Sequence, residues 1–154
     1  MLTHCDFVFA DETAKFRMPF VDLAVVPEFG TSYSVPAQVG YLRAAELVLL
    51  GLPFDAKRAA ELGLVTRVVA DQQLLPTATA AAQQLAVKPP AALQSCKRLM
   101  RLSTRELLER AVKLENEEFS VRVRSAEAKE AFTAFIEKRK PNFDAVSEPK
   151  ARAA

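Results

Sequence analysis

Strand-forming segments occur only in the first 70 residues, and from Asp71 onward the patterned segments are helical. This imbalance constrains the fold more than anything else in the chain. Residues 5–10 read as a short apolar strand. Residues 16–19 form a second apolar-polar stretch after the turn Asp11-Glu12-Thr13. Residues 23–26 are a buried segment stopped by Pro27, and residues 64–69 alternate with β-branched side chains. A sheet needs three or more strands, or a packed helix, to be stable alone. The opening of the chain therefore reads as the middle of a domain, and helices have to complete its core.

Helix punctuation is clear in places. Thr31 or Ser32 is placed to cap a helix running to about Val39, with Pro36 inside it and Gly40 at its end. Residues 44–50 form a short apolar helix closed by Gly51. Asp55 caps 56–62, and Gly63 stops it, a paired start and stop signal. Asp71 opens a helix rich in Ala and Gln to about Val87, and Pro89-Pro90 opens another to about Arg101. Ser103 or Thr104 then caps a long helix on which Leu107, Leu108, Ala111, Leu114 and Val121 recur at helical spacing. A last amphipathic helix from Ser125 carries Phe132, Phe135 and Ile136. The fold class expected is α/β, few-stranded at the start and mostly helical after. A frayed tail is expected from residue 144 to 154.

Composition removes several classes of function. The chain has 154 residues, 50% apolar and 26% charged, which suits a globular protein. A net charge of +2 gives no electrostatic reason to expect nucleic acid or a membrane surface as partner. No apolar run approaches the ~20 residues that span a bilayer. The opening Met1-Leu2-Thr3-His4-Cys5-Asp6 does not resemble a signal peptide. Cys5 and Cys96 are far apart in sequence and read as reduced thiols of a cytoplasmic protein. With His4 as the single histidine, neither a metal site nor a Ser-His triad is expected.

The segment Val25-Val26-Pro27-Glu28-Phe29-Gly30-Thr31-Ser32 holds the most informative carboxylate. Apolar neighbours flank Glu28 on both sides, which would desolvate it and favour its protonated form, toward the range useful for proton transfer. The helix beginning just after it opposes part of that effect. Asp22 lies in an apolar run but fits a strand end facing water. Glu46 and Glu61 read as surface charges, and Glu115, Glu117 and Glu118 as the solvated side of the long helix. The basic clusters Lys97-Arg98 with Arg101 and Arg105, and Lys138-Arg139-Lys140, read as solvated faces, with phosphate contact as the functional alternative. Phe132 and Phe135 read as core or interface packing.

The order of segments resembles the crotonase superfamily of enoyl-CoA hydratases and isomerases. The matching pieces are residues 5–10, Ala14-Lys15-Phe16, residues 27–36, residues 44–51, residues 59–65, Lys88-Pro89-Pro90-Ala91-Ala92 and residues 131–139. The resemblance implies the C-terminal part of a spiral of ββα units (residues 1–70) followed by a helical oligomerisation and CoA-lid region (residues 71–143). It implies an acyl-CoA thioester as substrate, with CoA part of the substrate and no separate cofactor, and a homotrimer or dimer of trimers. The family's two oxyanion N–H donors belong to its first half, which this sequence does not match.

Two carboxylate positions separate the subfamilies. The second glutamate of the hydratases falls on Phe20, which cannot act as a base. The Δ3,Δ2-enoyl-CoA isomerases are similar in having a Pro-Phe pair, here Pro19-Phe20, and a later Pro-Glu segment, here Pro27-Glu28. The resemblance thus implies Glu28 as the one catalytic base of an isomerase of fatty-acid β-oxidation, with Phe20 and Phe29 walling off water. By the same match Phe119 and Lys138 fall on CoA-contacting positions. The alternatives are a truncated fragment serving only as an oligomerising module, and an enoyl-CoA hydratase.

Overall fold

The computed structural model describes residues 1–146. Two strand pairs tie the first part of the chain together. β1 (Phe9–Asp11) runs parallel to β4 (Arg67–Val69), with Ala10 opposite Val68. β2 (Lys15–Phe16) runs antiparallel to β3 (Phe54–Asp55), and the Phe16 and Phe54 rings stack with centroids 5.6 Å apart. A parallel pair needs a long crossover. Here α1 (Thr31–Val39), α2 (Tyr41–Leu49) and α3 (Ala56–Glu61) provide it.

The strands are shorter than the sequence predicts. Thr66 donates its N–H to the Val8 carbonyl at 2.7 Å, and its Oγ1 accepts from the Val8 N–H at 3.0 Å. Upstream of Val8 the pairing stops, because the Asp6 carboxylate is bound to Lys97 and to Arg101 (3.2 Å). Residues 23–26 are not a strand. The carbonyls of Pro19, Phe20 and Val21 accept from Leu23, Val25 and Ala24, so the segment is a turn, with Ala24 at φ 54°.

The core lies where α1, α2 and α3 meet β1. Val35 and Val39 of α1 bury against Ala44 and Leu47 of α2, Ala56 and Ala59 of α3, Leu62, Leu64 and Val65. The punctuation expected around α3 is present: Asp55 Oδ1 accepts from the Arg58 N–H at 2.8 Å, and Gly63 follows at φ 75°.

The remainder is α4 (Asp71–Ala86), α5 (Pro90–Arg122) and α6 (Ala126–Ile136), with a short 3₁₀ turn over Phe143–Ala145. The helix break expected between Arg101 and Thr104 is absent. Instead α5 is one helix of 33 residues, roughly 50 Å long. Thr104 Oγ1 donates back to the Arg101 carbonyl at 3.2 Å, which satisfies the hydroxyl inside the helix. The inward face of α5 also differs from the expected one. Leu107, Leu114 and Val121 are exposed, whereas Leu108, Ala111, Val112, Glu115 and Phe119 are at least partly buried.

Ser125 Oγ caps α6 by accepting from the Ala128 N–H at 3.1 Å, as its sequence suggests. The face that α6 buries is Ala128, Ala131 and Ala134, while Phe135 and Ile136 are 75% and 78% exposed. They are therefore not core residues. No helix among the described residues is long and apolar enough to cross a membrane. The tail expected from residue 144 begins in the 3₁₀ turn, and its residues 147–154 lie outside the described residues.

Candidate active site

Glu28 precedes two consecutive left-handed residues, Phe29 (φ 58°) and Gly30 (φ 69°), which turn the chain into α1. A left-handed Phe is uncommon and costs energy, so surrounding contacts have to hold it. Three do so. His4 Nε2 lies 2.6 Å from the Phe29 carbonyl oxygen, and because a carbonyl only accepts, the ring nitrogen donates. From the other side the Glu115 carboxylate of α5 accepts the Gly30 N–H at 2.5 Å and the Ser32 N–H at 2.7 Å. Gly30 itself packs so closely on α5 that a Cβ there would collide with Leu108 Cδ1 and lie 3.3 Å from Val112 Cγ2.

This replaces the expected cap. Neither Thr31 nor Ser32 caps α1 through its side chain, and the first turn takes its acceptor from a distant helix instead. Glu115 is 6% exposed, so it does not belong to a solvated face with Glu117 and Glu118. Local composition hid it, since charged neighbours suggest water. Spacing could have revealed it: Leu108, Val112, Glu115 and Phe119 step by four, three and four residues and share one face of the helix.

Glu28 is exposed, and among the described residues its carboxylate has no hydrogen bond or ion pair. The desolvation expected from its apolar neighbours is not provided by this chain. Val25 and Gly30 are buried, but Phe29 is 57% exposed beside it. Phe20 is half-buried in the turn before Glu28, and its carbonyl accepts from the Val25 N–H at 2.9 Å. Phe119 is half-buried one turn beyond Glu115 on α5. Lys138 is exposed after the end of α6, at φ 55°, and no hydrogen bond joins it to the other four. Glu28 and Phe29 thus adjoin, Phe119 lies on α5 one turn beyond the Glu115 that binds Gly30 and Ser32, and Lys138 lies on a separate element.

The other candidates are engaged elsewhere. Asp22 pairs with Arg17 at 2.7 Å, and Arg17 also donates to the Gly51 carbonyl at 2.7 Å. Lys97 and Arg101 bind Asp6, whose carboxyl is held below its usual range chiefly by the Lys97 hydrogen bond. Arg105 pairs with Glu109 at 2.8 Å, and Arg139 with Glu130 and Glu137. Each of these cations thus has a carboxylate partner within the chain, with Lys97 and Arg101 sharing the one carboxylate of Asp6 at the wall of a cleft. A cleft of about 790 Å³ opens between α1 and α5, with Tyr33, Ser34, Cys96 and Met100 in its wall; none of the five expected site residues lines it. Among the described residues no group of three or more His, Cys, Asp and Glu side chains is placed to hold a metal.

Residues 1–146 match the family model described as enoyl-CoA hydratase/isomerase. The chain is 37% identical over 139 residues to a probable enoyl-CoA hydratase of Rhizobium meliloti (strain 1021), covering 90% of this chain and 54% of that protein. It is 35% identical over 138 residues to 1,2-epoxyphenylacetyl-CoA isomerase of Escherichia coli (strain K12), covering 90% and 53%. Among solved structures, an enoyl-CoA hydratase/isomerase from Pseudoalteromonas atlantica T6c superposes with a TM-score of 0.89 at 40% identity, over 92% of this chain and 57% of that one. The fold is thus the partial crotonase-like arrangement that the segment order implies. The chain spans about half the length of the curated relatives it matches.

Proposed function

The chain belongs to the enoyl-CoA hydratase/isomerase family, and we propose that it carries the proton-transferring part of an enoyl-CoA isomerase site, with Glu28 as the single base. The observation that carries this reading is the state of the carboxylates around the α1 entry. Asp22 is bound by Arg17 and Glu115 by two backbone N–H groups, whereas Glu28 has no side-chain partner among the described residues, on a backbone held from both sides. A proton carrier needs this combination of a free carboxylate and a fixed position.

The reaction moves the double bond of a 3-enoyl-CoA to the 2-trans position. The Glu28 carboxylate removes a proton from C2. The C–H electron pair moves into the thioester carbonyl, giving a dienolate. The electron pair then returns through the chain, C4 takes the proton from Glu28, and the double bond ends between C2 and C3. The thioester oxygen needs preorganised N–H donors while it carries charge. In this proposal they come from the half of the family pattern that the chain does not match, and that half also covers Glu28. Phe20 and Phe29 would then keep water from the dienolate. Phe119 and Lys138 are proposed as CoA contacts, and trimeric assembly remains part of the same proposal.

Hydration is the competing reading, and it rests on relatives whose names are hydratases, including a crotonyl-CoA hydratase of Syntrophomonas wolfei at 34% identity. Phe20 at the second hydratase carboxylate position favours isomerisation. The test offers 3-hexenoyl-CoA to the natural protein and follows the conjugated 2-enoyl thioester, with crotonyl-CoA hydration measured beside it. Isomerisation should be the faster, and Glu28→Gln should lower it by about 10²–10⁴-fold. Unchanged turnover in Glu28→Gln, or faster hydration, would overturn the assignment.

A further inference from the structure

We infer that Glu115 is a positioning residue for Glu28, acting through the backbone of α1 rather than on substrate. The inference rests on Glu28 being the base and adds what keeps it in place. The first N–H groups of a helix have no partner within it. At α1 the N–H groups of Gly30 and Ser32 are met by a carboxylate more than eighty residues away in sequence, on another helix, and 6% exposed, while the Thr31 N–H between them donates to the Glu28 carbonyl at 3.1 Å. An isolated carboxylate is costly to bury, and this one has backbone donors on both oxygens, Gly30 N–H on Oε2 and Ser32 N–H on Oε1. Glu28 is thus joined to those donors by the Thr31 bond and through Phe29, which holds a left-handed conformation uncommon for its type.

The consequence is mechanical. If the Glu115 carboxylate is lost, Gly30 and Phe29 can relax toward ordinary backbone angles, and the Cα of Glu28 shifts with them. A shift of the order of an ångström at a proton-transferring group lowers turnover without removing any contact to CoA. His4 on the Phe29 carbonyl is the second hold on the same segment. It is half-buried and its ring nitrogen donates to the Phe29 carbonyl, so it supplies no acceptor for the Gly30 and Ser32 N–H groups.

The side-chain substitution Glu115→Gln keeps the shape but replaces one acceptor oxygen by an NH₂ group that faces a backbone donor. In the natural protein acting on 3-hexenoyl-CoA it should lower kcat by about 10–100-fold and leave KM within about twofold. Leu62→Ala, which loosens the core away from this contact, should leave kcat per folded molecule unchanged. Unchanged kcat in folded Glu115→Gln, or equal losses in both variants, would overturn the inference. Glu28→Gln separates the two readings: if it keeps full turnover, the base assignment fails, whereas a dead Glu28→Gln beside an active Glu115→Gln sinks the positioning role alone. A measurement on the unaltered protein covers the case in which Glu115→Gln does not fold. The amides of Gly30 and Ser32 should exchange with deuterium at least about tenfold more slowly than the unprotected amides of a helix start. Free exchange at both would refute the contact on which the inference stands.

Discussion

Gly30 meets two demands at once, and only glycine meets both. Its φ of 69° is a conformation that costs an L-residue about 1–2 kcal/mol. Its missing Cβ is also the space that Leu108 occupies, with Val112 close behind. Gly63 has a similar φ of 75°, but a Cβ there would meet nothing within 4 Å. The pair separates conformational strain from steric conflict. Gly63→Ala should cost about 1 kcal/mol, and Gly30→Ala about 2–4 kcal/mol because overpacking is added. Equilibrium urea unfolding measures both, and equal shifts in the two variants would show that α5 does not press on the α1 entry. Phe29 keeps its left-handed φ beside Gly30 because His4 binds its carbonyl and Glu115 binds the Gly30 and Ser32 N–H groups.

At the scale of elements, the end of α6 is secured by a charge cluster. Arg139 Nη1 and Nη2 donate to the two oxygens of Glu130 at 2.6 and 2.9 Å, Nε donates to Glu137 at 2.6 Å, and the Asn142 N–H adds a bond to Glu130 at 2.8 Å. The Arg139 hydrogen bonds hold the Glu130 carboxyl down at about 2, from an ordinary 4.5. A carboxyl depressed on folding stabilises the folded state above its unfolded value and loses that contribution as pH falls through its folded value. The stability gap between the native chain and Glu130→Gln should therefore be full above pH 4.5 and shrink as pH falls toward about 2. Chemical unfolding at a series of pH values checks this, and a gap that does not vary with pH would rule it out. The elements most legible from sequence were those whose signals are local. Asp55 caps α3 within three residues and Ser125 caps α6 within three, so a short window contains cause and effect. The α1 start was misread because its acceptor is Glu115, far along the chain. The α5 break was misread because a hydroxyl bonding backward within a helix has the same sequence as one that caps a new helix. The family and its partial fold are readable from residue order, whereas the exposure of Glu28 depends on packing that no window reports.

At the scale of the whole molecule, area is the governing quantity. A compact monomer of 17.0 kDa exposes about 7,700 Å², and this chain exposes 11419 Å². The long helices contribute to the difference. No residue of α4 is buried, and Glu115 is the only buried residue of α5. Leu99, Met100 and Leu102 of α5 are 63%, 80% and 62% exposed, and Phe135 and Ile136 of α6 add to the apolar surface. The buried apolar set contains Ala, Val and Leu but no Phe, Ile or Met, so the internal core is light for the surface it must stabilise. Apolar surface on this scale drives association, since each buried Å² contributes about 25 cal/mol. Produced by itself, the chain should therefore associate as its concentration rises. Sedimentation velocity should show species heavier than 17.0 kDa, and exchanging Leu99 and Met100 for Gln should lower their fraction. Hydrogen exchange on the same material should find α4 and the first half of α5 least protected, and the α1–α3 core most protected. A single 17.0 kDa species at every concentration, with α4 as protected as α3, would mean that these helices stand without help and that the exposed leucines serve no packing role.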